Sequence, residues 1–165
     1  MHMFQIKDDY IQKGFSELNH NGGSGAILLI EQNLGIVTKI DCSEGYVGFV
    51  NCCLNHPQLN IPQFNNFQQW GVLPHHGHKG HISVEMPVYQ KLSVKEATTL
   101  DTWIKLFNSA YILNAHTTMN DPFSLLATIN ILTVTAQSLN LNFDLKSDNV
   151  MKDTIGNFLI IDGLF

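Results

Sequence analysis

The hydrophobic period of this chain changes halfway along, and that change limits what it can fold into. In the first half, "GAILLIEQ" (25–32), a turn at "NLG" (33–35) and "IVTKID" (36–41) read as a hairpin of β-branched strands. A short helix is expected over "EGYVGFVNCCLN" (44–55), stopped by His56-Pro57, and "GHISVEMPVYQ" (80–90) reads as a further strand running into a connector at Pro87. From residue 93 the spacing becomes helical. "SVKEATTLDTWIKLFNSAYIL" (93–113) opens on a Ser-x-x-Glu capping box and sets Leu100, Trp103, Ile104, Phe107, Tyr111 and Ile112 along one face. "PFSLLATINILTVTAQSLNL" (122–141) is apolar nearly all round, and a core helix starting at Pro122 is expected there. Strands first and helices second imply an α+β fold with two lobes.

Composition narrows the function. With 165 residues, 44% of them apolar and 14% charged, one domain with a real core is expected over 1–165. The charged first twenty residues and the lack of an eighteen-residue apolar run give no support for a signal peptide or a spanning helix, so a cytoplasmic protein without a membrane partner is expected. The net charge is −5, and none of the nine basic residues is an arginine. Nucleic-acid backbone binding therefore lacks its usual tool, the bidentate guanidinium. Three cysteines, Cys42 and the adjacent Cys52 and Cys53, fit thiols in a reducing compartment rather than a disulfide framework.

The chemistry concentrates near the end, in "NFDLKSDNVM" (142–151) and "FLIIDGLF" (158–165). A turn at "KDTIGN" (152–157) would lay these stretches side by side and bring Asn149 close to Asp162. One amide oxygen and one carboxylate aimed at one point suit a hard cation such as Mg²⁺, which takes oxygen ligands. Asp144 nearby would accept or orient the proton of an attacking hydroxyl.

These residues resemble the protein kinase superfamily, whose catalytic loop reads His-Arg-Asp-Leu-Lys-x-x-Asn and is followed by Asp-Phe-Gly. Here the loop is "NFDLKSDN" and the metal motif is "DGL". The resemblance implies that Asp144 is the catalytic base, Lys146 the γ-phosphate contact, and Asn149 with Asp162 the metal ligands. "HNGGSGAI" (20–27) is similar to the family's glycine loop, with His20 in the first glycine's place, Gly22 and Gly25 in the second and third, and Ile27 for the valine. Lys39 takes the slot of the strand lysine, and "VEMP" (84–87) resembles the hinge, where the backbone of Glu85 and Met86 would hold adenine.

The resemblance covers residues 15–165 and lies nearest the short, divergent kinases of bacteria and phages. It implies a bilobal kinase-like fold, with a strand-rich lobe over 15–86 and an abbreviated helical lobe over 87–165. The implied activity is ATP- and Mg-dependent phosphoryl transfer, in the manner of a minimal serine/threonine protein kinase acting on a protein. Three departures stand beside it. Asn142 and Phe143 replace His and Arg, Glu44 is the sole local acid for Lys39, and only Leu164-Phe165 follow the Asp-Gly pair, which leaves out an activation segment. The last two favour an alternative, a pseudokinase that binds a host or partner protein. A small-molecule kinase of the aminoglycoside phosphotransferase type shares the Asp-x₄-Asn spacing but not the lysine at 146. The histidines of "HHGHKGH" (75–81), His75, His76, His78 and His81, lack helical register and cysteine partners and are expected on a solvated loop.

Overall fold

The structure, a computed structural model, describes residues 3–18, 25–71 and 80–165. Its elements are α1 (Met3–Gln12), β1 (Ser16–Glu17), β2 (Ile27–Glu31), β3 (Ile36–Asp41), α2 (Glu44–Asn55), β4 (Asn65–Trp70), β5 (His81–Pro87), β6 (Gln90–Lys91), α3 (Val94–Ile112), α4 (Leu126–Leu139), β7 (Val150–Lys152) and β8 (Phe158–Ile160). The fold is α+β. A five-stranded antiparallel sheet runs β1-β2-β3-β5-β4, and a three-stranded sheet runs β6-β7-β8. Among the described residues no helix is long and apolar enough to cross a membrane.

The expected hairpin forms with Leu28 opposite Lys39 and Ile27 opposite Ile40. Successive side chains alternate faces, so this register sorts the residues. Ile27, Leu29 and Ile40 turn to one face, where Ile6 and Tyr10 of α1 and Phe15 close a small core. Leu28, Ile30, Val37 and Lys39 turn to the other. The larger core joins α2 to α3, α4 and the second sheet through Phe49, Val50, Leu100, Ile129, Leu132 and Ile160, so α2 rests on the helical half as well as on the sheet.

Helix ends follow local chemistry. Ser43 caps α2 by accepting from the Tyr46 N–H at 3.3 Å. The capping box of α3 is complete, with the Ser93 N–H donating to Glu96 at 2.8 Å, and Lys152 of β7 pairs with the same carboxylate at 2.7 Å. The Lys152 hydrogen bond, followed by those of Ser93, pulls the Glu96 carboxyl down to about 2.

Three elements differ from the sequence reading. Helix α4 starts at Leu126, not Pro122, because the carboxylate of Asp121 takes the N–H groups of Leu125 (2.9 Å) and Leu126 (2.8 Å) and fixes the first turn there. It buries one stripe, Thr128, Ile129, Leu132 and Ala136, whereas Val134 on the opposite side is 62% exposed. Strand β4 is polar and mostly exposed; it exists because β5 offers it a ladder, with a bulge between Asn65 and Gln68. Helix α1 carries only Ile6 and Tyr10 as buried residues, too few to declare a period. Of the histidine loop, His75, His76 and His78 lie outside the described residues, and His81 is a buried β5 residue opposite Trp70 rather than a solvated one.

Two measurements check this packing. In denaturant titrations Leu132→Ala should cost roughly 2–5 kcal/mol, as a fully buried leucine does, while Val134→Ala stays within about 0.5 kcal/mol. Because the Glu96 carboxyl is depressed when folded, its contribution is present above its ordinary 4.5 and is lost as pH falls toward about 2. Glu96→Gln should therefore lower Tm at neutral pH and converge with the unsubstituted protein near pH 2.

Candidate functional site

The chain leaving α4 and the chain leaving β8 run antiparallel, and their pairing builds the site. Asn142 and Phe165 exchange backbone hydrogen bonds at 2.8 and 3.1 Å, and the Asp144 N–H donates to Gly163 O at 2.8 Å. On the other side of the turn, β7 and β8 pair Val150 with Ile160, and the Ile161 N–H donates to Asn149 O at 2.9 Å. Asp144, Asn149 and Asp162 are thus locked together by main chain, as the sequence reading expected for the last two. Asn149 completes the loop by donating its amide Nδ2 to Asp144 O at 2.8 Å. Asp101 of α3 anchors the same turn, accepting from the N–H (3.2 Å) and hydroxyl (3.0 Å) of Ser147.

Lys39 reaches this loop from the sheet. Its ammonium lies 2.8 Å from Asp162 Oδ2, 3.3 Å from Asp41 Oδ2 and 3.5 Å from the centre of the Tyr46 ring. Asp162 Oδ1 accepts from the Gly163 N–H at 2.8 Å. Lys146 pairs with Asp144 at 2.6 Å at the open rim, and that hydrogen bond raises its ammonium above the ordinary lysine value. Tyr46 is fully buried, and burial, then the charges of Asp162 and Asp41, push its phenol well above the usual range.

Two spaces share Lys39, Asn149 and Asp162 in their walls. One, of about 440 Å³, is roofed by Ala26, Leu28, Ile30, Val37 and Lys39 and floored by Met151 and Ile161. The other, of about 410 Å³, opens past Asp41 and Ser43 to Asp144 and Lys146. The first is lined mainly by apolar side chains and the second by charged ones, Lys39 and Lys146 with Asp41, Asp144 and Asp162, so an anionic ligand there would need a cation beside it.

Not every expected residue reaches the cleft. Ile27 is turned away into the α1 core, because the pleat of β2 presents Ala26 and Leu28 instead. Gly25 has φ +70 just before β2 and open space around its Cα, but it does not line either space; Gly22 lies outside the described residues. Met86 lines the slot together with Pro87, Val88 and Tyr89, whereas the Glu85 carboxylate accepts from Tyr10 (3.2 Å) and Asn66 (2.8 Å). The Val88 N–H donates to Gly35 O at 2.9 Å, which sets Met86 and Val37, two residues back, in the hydrogen-bonded register too. The Met86 backbone is therefore engaged by β3 and is not the free adenine contact expected. Glu44 is exposed and lines a groove between α2 and α4 rather than meeting Lys39.

Asp41 and Tyr46 are the functional candidates that sequence reasoning missed. A signal for Asp41 existed: two residues beyond Lys39 on one strand, it must share the lysine's face. Tyr46 carried none, since an aromatic on an apolar helix reads as core. Among the described residues no three His, Cys, Asp or Glu side chains gather to hold a metal. No family model matches the chain, and no curated protein does.

The C-terminal chain also packs on α2, where an added Cβ at Gly45 would sit 2.1 Å from Leu164 O. Replacing a helical glycine by alanine ordinarily gains up to about 1 kcal/mol. Gly45→Ala should reverse that sign and lower the denaturation midpoint. Gly48→Ala should do less harm, because its obstacle is the flexible, half-exposed side chain of Leu139 at 2.7 Å.

Proposed function

We propose that this chain is an ATP-dependent phosphotransferase of kinase-like, bilobal architecture. The observation that carries the reading is the convergence of Lys39, Asp144, Lys146, Asn149 and Asp162 from separate segments on one opening beside an apolar slot. The slot accepts a flat heteroaromatic base between Leu28 and Val37 above and Met151 and Ile161 below. Its phosphates would then extend toward Lys39, which lies in the walls of both spaces.

The donors fit magnesium. The Asn149 amide nitrogen is spent on Asp144 O, which leaves Oδ1 as its ligating atom, and Asp162 would join it by giving up Lys39 at Oδ2. Asn149 and Asp162 would hold Mg²⁺ through these two hard oxygens, with water and phosphate oxygens left to complete its shell. When bound, the ion supplies positive charge that offsets charge on the β- and γ-phosphate oxygens.

The remaining chemistry belongs to the chain's own residues. Asp144, 40% exposed, stands at the rim where an acceptor hydroxyl can approach. Its carboxylate takes the hydroxyl proton as the acceptor oxygen bonds to the γ-phosphorus and the bond to the β-phosphate oxygen breaks, releasing ADP. Lys146, now paired with Asp144, offsets charge on the group in transfer. By resemblance, the lysine two residues after Asp144 favours serine or threonine hydroxyls of a protein as acceptors over small molecules.

One observation favours a second reading, a binding module that transfers nothing. Lys39 and Asp162 contact each other directly, so two groups the reaction needs neutralise one another in this arrangement. Incubation with γ-labelled ATP and Mg²⁺ separates the readings. The phosphotransferase reading expects label on an added protein acceptor or on the chain itself. Asp144→Asn should lower transfer on the order of 100-fold while leaving Mg·ATP affinity nearly intact, and Asp162→Ala should weaken nucleotide binding measured by calorimetry. Full transfer by Asp144→Asn would exclude the mechanism, and nucleotide binding without transfer in the unsubstituted protein would favour the module.

A further inference from the structure

We infer that Asp41, carried by the same strand as Lys39, is the residue that positions this lysine, in place of an acidic residue on α2. The inference rests on the phosphotransferase reading for what Lys39 does, but not for how it is held. Asp41 lies two residues beyond Lys39 on β3, so both side chains leave the same face of the sheet. Its side chain is 2% exposed, and a carboxylate that deep must be satisfied. Oδ1 accepts from the N–H groups of Cys42 (2.7 Å) and Ser43 (2.8 Å), which fixes the carboxylate, and Oδ2 is presented to the Lys39 ammonium at 3.3 Å. The ring of Tyr46 closes the other side at 3.5 Å, a cation–π contact to a fully buried ring.

The two anions beside Lys39 differ in kind. Asp162 is 36% exposed and lies on the loop where phosphate and metal would arrive, so its share of the lysine can pass to a ligand. Asp41 is buried and tied to backbone, so its share stays. The charged anchor of the lysine thus comes from its own strand, and α2 contributes to the site the Tyr46 ring rather than an acidic side chain.

The test uses the full chain labelled with ¹³C-lysine, whose nine lysine Cε–Hε signals are few enough to resolve, with Lys39 assigned through Lys39→Arg. Without nucleotide, a held Lys39 should show two distinct Hε shifts. Asp41→Asn keeps an oxygen for the Cys42 and Ser43 N–H groups but removes the charge, so the separation of the two shifts should shrink although Asp162 and Tyr46 remain, and an unchanged separation in the folded variant overturns the inference. Turnover should fall about 10- to 100-fold, chiefly in kcat. Glu44→Gln should change neither readout. A single averaged Hε signal in the unsubstituted protein overturns the inference whether or not the variant folds, and so does a Glu44→Gln variant that releases the lysine. Absence of any phosphoryl transfer counts against the phosphotransferase reading alone, because the spectra still decide what holds Lys39.

Discussion

Gly163 lies where the loop after α4 and the chain that leaves β8 are joined by backbone hydrogen bonds. At φ +146 it sits where a Cβ would meet the Phe143 ring at 3.1 Å and Asp144 O at 3.2 Å. A side chain here would be strained by the positive φ and would push both neighbours back by a few tenths of an ångström, so glycine suits this approach of the two segments. The ladder from Asn142–Phe165 to Asp144–Gly163 depends on that approach, and through it so does the placing of Asp144 beside Asp162. The same chain then rests on α2 at Gly45, where no side chain would fit.

Charge completes what the backbone begins. Lys39 links the sheet to the C-terminal loop through Asp162 and is held from its own strand by Asp41. An uncompensated ammonium at 13% exposure would be costly, so two carboxylates and an aromatic face surround it. Of the outer pairs, Lys146 with Asp144 is the more exposed and correspondingly the weaker tie, while Lys152 with Glu96 is about as exposed as Lys39 with Asp162. Their value lies in orientation: Lys152 joins the start of α3 to β7, and Asp101 of the same helix holds Ser147.

Elements with a strong period were legible from the chain. The β2–β3 hairpin, α2 and α3 each repeat apolar residues often enough to declare themselves, and the Ser93/Glu96 box forms as its spacing demands. Strand β4 was not legible, because Asn65–Trp70 has neither alternation nor burial and is a strand only beside β5. The all-round apolar reading of α4 failed for the converse reason: its sequence has more apolar residues than the core has faces for, and Val134 and Leu139 remain exposed.

The sequence by itself determined the β2–β3 hairpin, α2, α3 and which polar residues stand at loop positions after α4 and β8, because these follow from local period, turn residues and caps. It also determined that Asp41 shares a face with Lys39, since alternation along a strand permits nothing else. Only the tertiary structure decided that Ala26 and Leu28, not Ile27, face the cleft, because packing of α1 chose which side of the sheet to cover. It decided as well that Lys39 is met by Asp41, Asp162 and Tyr46 while Glu44 faces away. That outcome depends on the rotation of α2 about its axis, which is fixed by Gly45 against Leu164 and by the fit of α2 on α4, contacts made between segments more than eighty residues apart.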